Sequence, residues 1–271
     1  MAEFLEVLSF PFMRRALIVG VIVSLCAALL GVVLVLKRYS LIGHGLGEVG
    51  FAALALAMAL GLPPMPVAIP LVVAASFLIM YLSQRGALAG DAAIGIMAAA
   101  ALSFGVIVTS LSNGFNMDVS DYMFGSILAV SESDVVLSVV LGLAVILMYG
   151  LFFNRLFAIS YDEVNAQATG INVSMYQFMI SLLTAITVVL GMRMMGTMLI
   201  SSLILFPALT ARRLVGSFKA MTLAAAVISV ACFLIGLVLS YALDLPTGAS
   251  VVGVNLAALV GSVGLKRVLK G

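Results

Sequence analysis

Two residue types that bind metals stand four positions apart in an apolar stretch of this chain. His44, the only histidine among 271 residues, and Glu48 lie within KRYSLIGHGLGEVGFAALALA, residues 37–57. If the stretch is helical, a spacing of four places both side chains on one face. An imidazole nitrogen beside a carboxylate oxygen is a ligand pair for a divalent transition metal. Ionisable groups in apolar surroundings are costly and often mark a pathway or a site, so the pattern predicts metal binding at His44 and Glu48.

The same stretch also permits a structural interpretation. Small residues let helix backbones approach closely, and four glycines flank the pair, namely Gly43, Gly45, Gly47 and Gly50. In that case the histidine and the glutamate form a satisfied polar pair between packed helices. The residues alone leave both interpretations open.

The composition indicates what kind of protein holds this pair. Hydrophobic residues make up 64% of the chain and charged residues 9%, and the mean hydropathy is +1.31. Soluble domains carry about a quarter charged residues, so the chain is predicted to be an all-α integral membrane protein, a polytopic bundle in the lipid bilayer. Its residues 1–271 form a single transmembrane domain. The net charge of +2 is too small to predict nucleic acid as a partner.

Apolar length and periodicity predict eight or nine transmembrane helices. The preferred assignment has nine spans, at residues 15–36, 46–62, 66–82, 91–111, 134–153, 174–192, 195–211, 220–243 and 249–265. A polar segment at 112–134 has an apolar middle too short to cross and is predicted to be an interfacial or re-entrant helix. Pro207 removes a backbone hydrogen bond within the seventh span, which predicts a pathway or hinge position.

Basic residues collect on alternate connections, which predicts the orientation because short cytoplasmic loops retain positive charge. With the N-terminus outside, the cytoplasmic side holds the basic residues at positions 37, 38, 85, 155, 212, 213, 219, 266, 267 and 270. The external side keeps positions 14, 15 and 193 together with most of the acidic residues. The C-terminus is therefore predicted to be cytoplasmic.

One hydrophilic cytoplasmic segment, residues 154–173, is long enough to form an element of its own. Asp162 and Glu163, followed by Ala166 and then by Gly170 as a stop signal, predict a short helix at the membrane face. Either a solvated loop or a docking element for a cytoplasmic partner would have this composition.

Several other chemistries are disfavoured or excluded by missing residues. The sequence has no GxxxxGK[ST] phosphate loop, so it predicts no ATP site of that kind. A single histidine excludes the HExxH motif of a zinc protease. A methionine cluster, Met192, Met194, Met195 and Met198, is more typical of packing than of a Cu(I) site. A gradient-driven secondary metal transporter or ion channel remains the alternative, although such proteins usually carry polar relays in several spans.

Several ordered segments resemble one family, the permease subunits of ATP-binding-cassette importers for zinc, manganese and iron. The resemblance begins with RRALIVGVIVSLCAALLGVVLVLKRYSLIGHGLGEVGFAALALA and continues through GDAAIGIMAAAALSFGVIV, DYMFGSILAVSESD, SYDEVNAQATGI, MMGTMLISSLILFPALTARRL and TGASVVGVNLAAL. It covers nearly the whole chain. The order of the segments makes it specific.

The resemblance implies a permease of the vitamin B12/metal-chelate type in a bacterial cell membrane. Two permease copies would enclose one pathway, a cytoplasmic ATPase dimer would drive it, and an extracytoplasmic metal-binding protein would deliver the ion. The chain itself would not be an enzyme and would need no cofactor, since manganese or zinc, or iron, would be its transported substrate.

The resemblance also implies roles for two sets of residues. The family has an aspartate followed four residues later by a histidine, both metal ligands, and this chain has His44 and Glu48 there, with the imidazole and the carboxylate in exchanged order. SYDEVNAQATGI is similar to the family's coupling helix, so Asp162, Glu163, Ala166 and Gly170 would lie in a groove of the ATPase.

Overall fold

The computed structural model describes residues 11–84, 90–112 and 132–270, and all regular secondary structure in these ranges is α-helical. The all-α prediction is therefore confirmed. The helices, in chain order, are α1 Pro11–Leu36, α2 Ile42–Ala59, α3 Pro64–Gln84, α4 Gly90–Leu111, α5 Glu132–Leu151, α6 Phe153–Tyr161, α7 Glu163–Ala168, α8 Val173–Met195, α9 Thr197–Leu214, α10 Phe218–Leu243 and α11 Thr247–Lys270.

Eight helices in the described ranges are long and apolar enough to cross a membrane, and they are α1 to α4 and α8 to α11. The fifth predicted span appears as α5 followed by α6, with a bend of 70° between them, and this bent pair would make a ninth crossing. The predicted count of eight or nine agrees with this architecture. The predicted interfacial helix within 112–134 falls mainly on residues 113–131, which lie outside the described residues.

The second span begins earlier than predicted. Apolar periodicity and length placed its start at residue 46, whereas α2 starts at Ile42 and includes three glycines, which are poor helix formers, in its first six residues. Helix propensity is a weak preference that tertiary packing overrides. As a result, His44 and Glu48 lie on the first two turns of one continuous helix.

The core is built around α1, whose sequence VIVSLCAALLGVVLVL is apolar on every side. A helix of this kind is stable when it is covered on all sides, and α1 packs against α5, α8, α9 and α10. In its span 78% of the residues are buried within the chain, against 22% in α4 and in α11. These two outer helices therefore offer apolar faces to the membrane or to another chain.

Ion pairs show which connections share an end of the bundle. Lys37, just after α1, lies beside Glu163 at the start of α7. Arg15, near the other end of α1, pairs with Glu132 at the start of α5. Lys37 and Glu163 thus lie at one end of the bundle, and Arg15 and Glu132 lie at the other. This arrangement agrees with the predicted alternation of connections between the two sides of the membrane. Which end faces the cytoplasm stays a prediction.

Candidate functional site

Glycine contacts fix the position of the helix that carries the candidate metal ligands. A Cβ atom on Gly47 would lie 3.1 Å from Cβ of Thr197 on α9, and Gly43 faces the same helix. A Cβ on Gly45 would lie 2.6 Å from Cγ2 of Ile94 on α4. The glycines therefore let α2 sit closely between α9 and α4. The helix packing required by the structural interpretation is present, and it also positions the polar pair.

His44 and Glu48 are neighbours on one face of α2. The Nδ1 atom of His44 lies 3.8 Å from Oε1 of Glu48, and the two side chains are 50% and 10% exposed. This separation is too long for a hydrogen bond. Two donors bound to one tetrahedral zinc at about 2.1 Å are about 3.4 Å apart, so a shift of a few tenths of an ångström would bring both onto one ion. The pair thus has one accessible nitrogen ligand and one largely buried oxygen ligand.

The chain provides only part of a coordination shell at this point. Within the described ranges, no group of three or more histidine, cysteine, aspartate or glutamate side chains is placed to hold a metal ion. At 1.5 Å per residue, His44 lies about 3 Å and Glu48 about 9 Å along the helix axis from Ile42. The pair is therefore close to the end of the bundle that carries Lys37 and Glu163.

The predicted short helix after α6 is present and is capped at both ends. The Asp162 carboxylate accepts a hydrogen bond from the backbone N–H of Asn165 at 2.9 Å, as an N-cap does. Gly170 follows the helix with φ of 85°, and its N–H donates to the Gln167 carbonyl at 3.0 Å. This left-handed conformation favours glycine and closes the helix. The sequence prediction of the helix and its stop residue is confirmed.

Glu163 is connected to two other helices. Its Oε1 atom accepts a hydrogen bond from Nε2 of Gln177 in α8 at 2.8 Å, and its Oε2 atom lies 3.1 Å from Nζ of Lys37. Burial lowers the pKa of Lys37 from its usual value, and the Glu163 carboxylate opposes that change. In the sequence, Lys37 was only a marker of orientation, because nothing in its neighbourhood indicated a carboxylate 126 positions away.

The outer surface of α7 differs from its inner surface. Ala166 is 2% exposed and packs into the chain, whereas Val164 is 79% exposed. Tyr161, at the end of α6, is also exposed. Neither Val164 nor Tyr161 was singled out in the sequence, because a single exposed apolar residue in a polar segment is a weak signal for a contact surface.

Pro207 lies inside α9 and is buried. One turn earlier, the backbone of α9 meets α1, since a Cβ on Gly31 would lie 2.0 Å from the Ile204 carbonyl oxygen. Proline at 207 leaves a preceding carbonyl without its usual helical donor. The predicted hinge residue therefore lies about one turn from a close contact between α9 and α1. Of the methionine cluster, Met192 and Met195 are buried in the core, which agrees with a packing role.

Residues 9–266 match the ABC 3 transport family. Two relatives illustrate the range of the similarity. The chain is 31% identical over 251 residues to the manganese import system permease protein ScaB of Streptococcus gordonii, covering 92% of this chain and 90% of the relative. It is 30% identical over 246 residues to the high-affinity zinc uptake system membrane protein ZnuB of Haemophilus influenzae, covering 90% of this chain and 93% of the relative.

Two solved structures have the same fold. PsaBC from Streptococcus pneumoniae, in complex with Fab, matches with a TM-score of 0.84 and 29% identity over 96% of this chain and 94% of the other. A metal-chelate type ABC transporter in an inward-facing conformation matches with a TM-score of 0.75 over 93% of this chain and 85% of the other. At 17% identity, this second likeness concerns the fold alone.

Proposed function

The chain belongs to the ABC 3 transport family, and on that premise we propose that it is the permease subunit of an ATP-driven importer of manganese or zinc ions. The observation that carries the proposal is the pair of His44 and Glu48, stacked on α2 with donor atoms 3.8 Å apart and the imidazole half exposed. A bare cation leaves water only when donor groups replace its hydration. The pair supplies such donors near one end of an apolar bundle.

Two protein ligands from one chain suit a metal ion that passes through better than a metal ion that stays bound. A transported ion must be held well enough to enter the site and loosely enough to leave it. A structural zinc site has four protein ligands, whereas His44 and Glu48 leave the remaining positions to water or to a second copy of the chain. Two copies that place their α2 helices on one axis would together provide two nitrogen and two oxygen ligands.

The donor set does not choose between the two metals. Zinc accepts nitrogen and carboxylate oxygen, and manganese accepts both as well. The relatives named above are described as manganese and zinc systems, with 31% and 30% identity. We therefore propose a divalent transition metal as the substrate, with manganese and zinc as the two ions to test first.

The energy source is proposed to be a separate cytoplasmic ATPase dimer docked at α7. The chain lacks a phosphate loop of its own. The capped helix α7 offers exposed Val164 as a docking surface, and Asp162 and Glu163 hold the helix in position. Force applied there reaches a rigid element, because both ends of the helix are closed by hydrogen bonds.

The remaining parts of the proposal concern the assembly. We propose a homodimer in a bacterial cell membrane, with the C-terminus in the cytoplasm and an extracytoplasmic metal-binding protein delivering the ion. The excess of basic residues on one set of connections supports this orientation. The exposed apolar faces of α4 and α11 are available for lipid and for the second copy.

The proposal is tested with the permease, its ATPase and its binding protein reconstituted in proteoliposomes. We expect ATP-dependent accumulation of manganese or zinc by the parental protein and a loss of about tenfold or more with His44→Ala combined with Glu48→Ala, since losing even a group that only orients a metal ligand costs about 10- to 100-fold in affinity or activity. Asp91→Asn, which removes another carboxylate near the start of α4, is the matched control and should accumulate metal normally.

Two outcomes would contradict the proposal. Metal accumulation at the parental rate by the double alanine variant would show that His44 and Glu48 do not form the transport site. Accumulation by the parental protein without ATP, driven by an ion gradient, would indicate a secondary transporter instead.

A further inference from the structure

Lys37 is a buried cation at the end of a membrane-spanning helix. Its side chain is 6% exposed. Within the described residues, no hydrogen bond of good geometry reaches its Nζ atom, so the Glu163 carboxylate at 3.1 Å acts as its counter-charge. A buried charge that loses its partner is strongly destabilising. Lys37 and Glu163 are therefore expected to move together.

Glu163 joins Lys37 to the short helix and not to a flexible loop. It is the first residue of α7, directly after the N-cap Asp162. Its other carboxylate oxygen accepts the hydrogen bond from Gln177, which is 3% exposed in the first turns of α8. Both oxygens of one carboxylate thus contact residues of other helices, although 46% of the Glu163 side chain is exposed, and the neighbouring Val164 is 79% exposed.

The turn after Lys37 is rigid and leads directly into α2. The backbone N–H of Arg38 donates to the Val35 carbonyl at 3.3 Å, and that of Tyr39 donates to the Leu34 carbonyl at 2.9 Å. Arg38 has φ of 62°. These two bonds and the left-handed residue form a Schellman motif, in which Lys37 is the C-cap of α1.

Hydrogen bonds of Tyr39 also connect the same turn to α2 and α3. The carbonyl of Tyr39 accepts a hydrogen bond from the N–H of Ile42, the first residue of α2, at 3.2 Å. The Tyr39 hydroxyl donates to Oγ of Ser83 at the end of α3, at 3.0 Å. His44 lies seven positions after Lys37, and backbone hydrogen bonds hold the turn between them.

We propose that Lys37 is a positioning residue that couples the orientation of α7 to the position of His44. When α7 is displaced, Glu163 moves with it, and Lys37 follows because it is paired with Glu163. The rigid turn after Lys37 then displaces the first turn of α2. The inference rests on the proposed function, since it gives the candidate coupling helix a defined path to the candidate metal site. It adds a residue and a contact that neither the motif nor the spacing of the sequence indicates.

The test compares ions moved per ATP hydrolysed in proteoliposomes containing the permease, its ATPase and its binding protein. For Lys37→Met we expect membrane abundance and co-purification of the ATPase to stay at the parental level. The number of metal ions moved per ATP should fall by roughly tenfold, because coupling between two sites of a protein is typically worth about 5- to 150-fold. A purely structural contact would change abundance and leave this ratio unaltered.

Two further variants sharpen the test. Arg38→Gln removes a positive charge from the exposed neighbouring position and should retain the parental ratio. Lys37→Glu combined with Glu163→Lys restores an ion pair with reversed polarity and should recover most of the ratio lost in Lys37→Met.

The outcomes separate this inference from the proposed function. If the parental protein moves no metal, the proposed function fails. If the parental protein transports and Lys37→Met keeps the parental ratio of ions to ATP, only the inference is overturned. If Lys37→Met does not accumulate in the membrane, the charge-reversed double variant is measured instead. A near-parental ratio of ions to ATP in that variant supports the inference. A low ratio in the inserted double variant, or failure of both variants to accumulate in the membrane, overturns it.

Discussion

Helices α2 and α7 both present polar residues near their N-termini, but different forces hold them in place. The six residues of α7 are defined locally, by the Asp162 cap at the start and the left-handed Gly170 after its end. The N-cap residue of α2, Leu41, offers no side-chain hydrogen bond. Close contacts of its glycines with α4 and α9 hold α2 instead.

The two helices are therefore sensitive to different kinds of substitution. A local cap contributes about 1 kcal/mol, and its loss mainly frays the turn that it closes. Closely packed helices tolerate added volume poorly, because a larger side chain must displace a neighbouring backbone or side chain. Changes at the glycines of α2 should therefore have larger effects than changes at the caps of α7.

The largest effect is expected from Gly47→Leu. The added side chain would meet Thr197 on α9, where a Cβ alone already lies at 3.1 Å from the Thr197 Cβ. Overpacking of this kind costs about 1–3 kcal/mol and would shift His44 and Glu48. We expect a lower thermal unfolding temperature of the purified permease and a loss of metal uptake. Gly253→Leu on α11, where a Cβ meets nothing within 4 Å, is the control. Equal uptake by both variants would show that glycine packing does not position the pair.

A smaller effect is expected from Gly170→Val at the end of α7. A β-branched residue at φ of 85° is strained by about 1–2 kcal/mol. We expect less ATPase to co-purify with the permease, while metal binding by the isolated permease is unchanged. Gly216→Val, between α9 and α10, has an open Cβ position and should behave as the parental protein. Co-purification of the ATPase at the parental level by Gly170→Val would contradict the docking role of α7.

The smallest effect is expected from Asp162→Ala, which removes only the N-cap hydrogen bond. The cost is about 1 kcal/mol, typical of a lost cap. Faster amide hydrogen exchange at residues 163–165 with little change in uptake is the expected result. Asp162→Asn keeps a capping oxygen and should exchange at the parental rate. A strong loss of uptake in Asp162→Ala alone would mean that the carboxylate contacts the partner directly.

The features that could be predicted from the sequence are those that depend on neighbouring residues. Apolar length predicted the spanning helices, and the order Asp162, Glu163, Ala166, Gly170 predicted α7 with its stop residue. The spacing of His44 and Glu48 predicted a shared helix face, and the structure places both on one face of α2. Their role as metal ligands stays a prediction, as do the docking role of α7 and the hinge role of Pro207.

Other features were decided only when the helices packed together. The early start of α2 depends on contacts of its glycines with helices that lie about 50 and 150 residues further along the chain. The partner of Lys37 could not be read from the sequence, because an ion pair between residues 126 positions apart leaves no local pattern. Helical spacing and capping follow from backbone geometry within one or two turns, and a sequence determines them by itself. The depth of a polar pair and the partner of a buried charge depend on which surfaces of distant helices meet, and only the tertiary structure decides that.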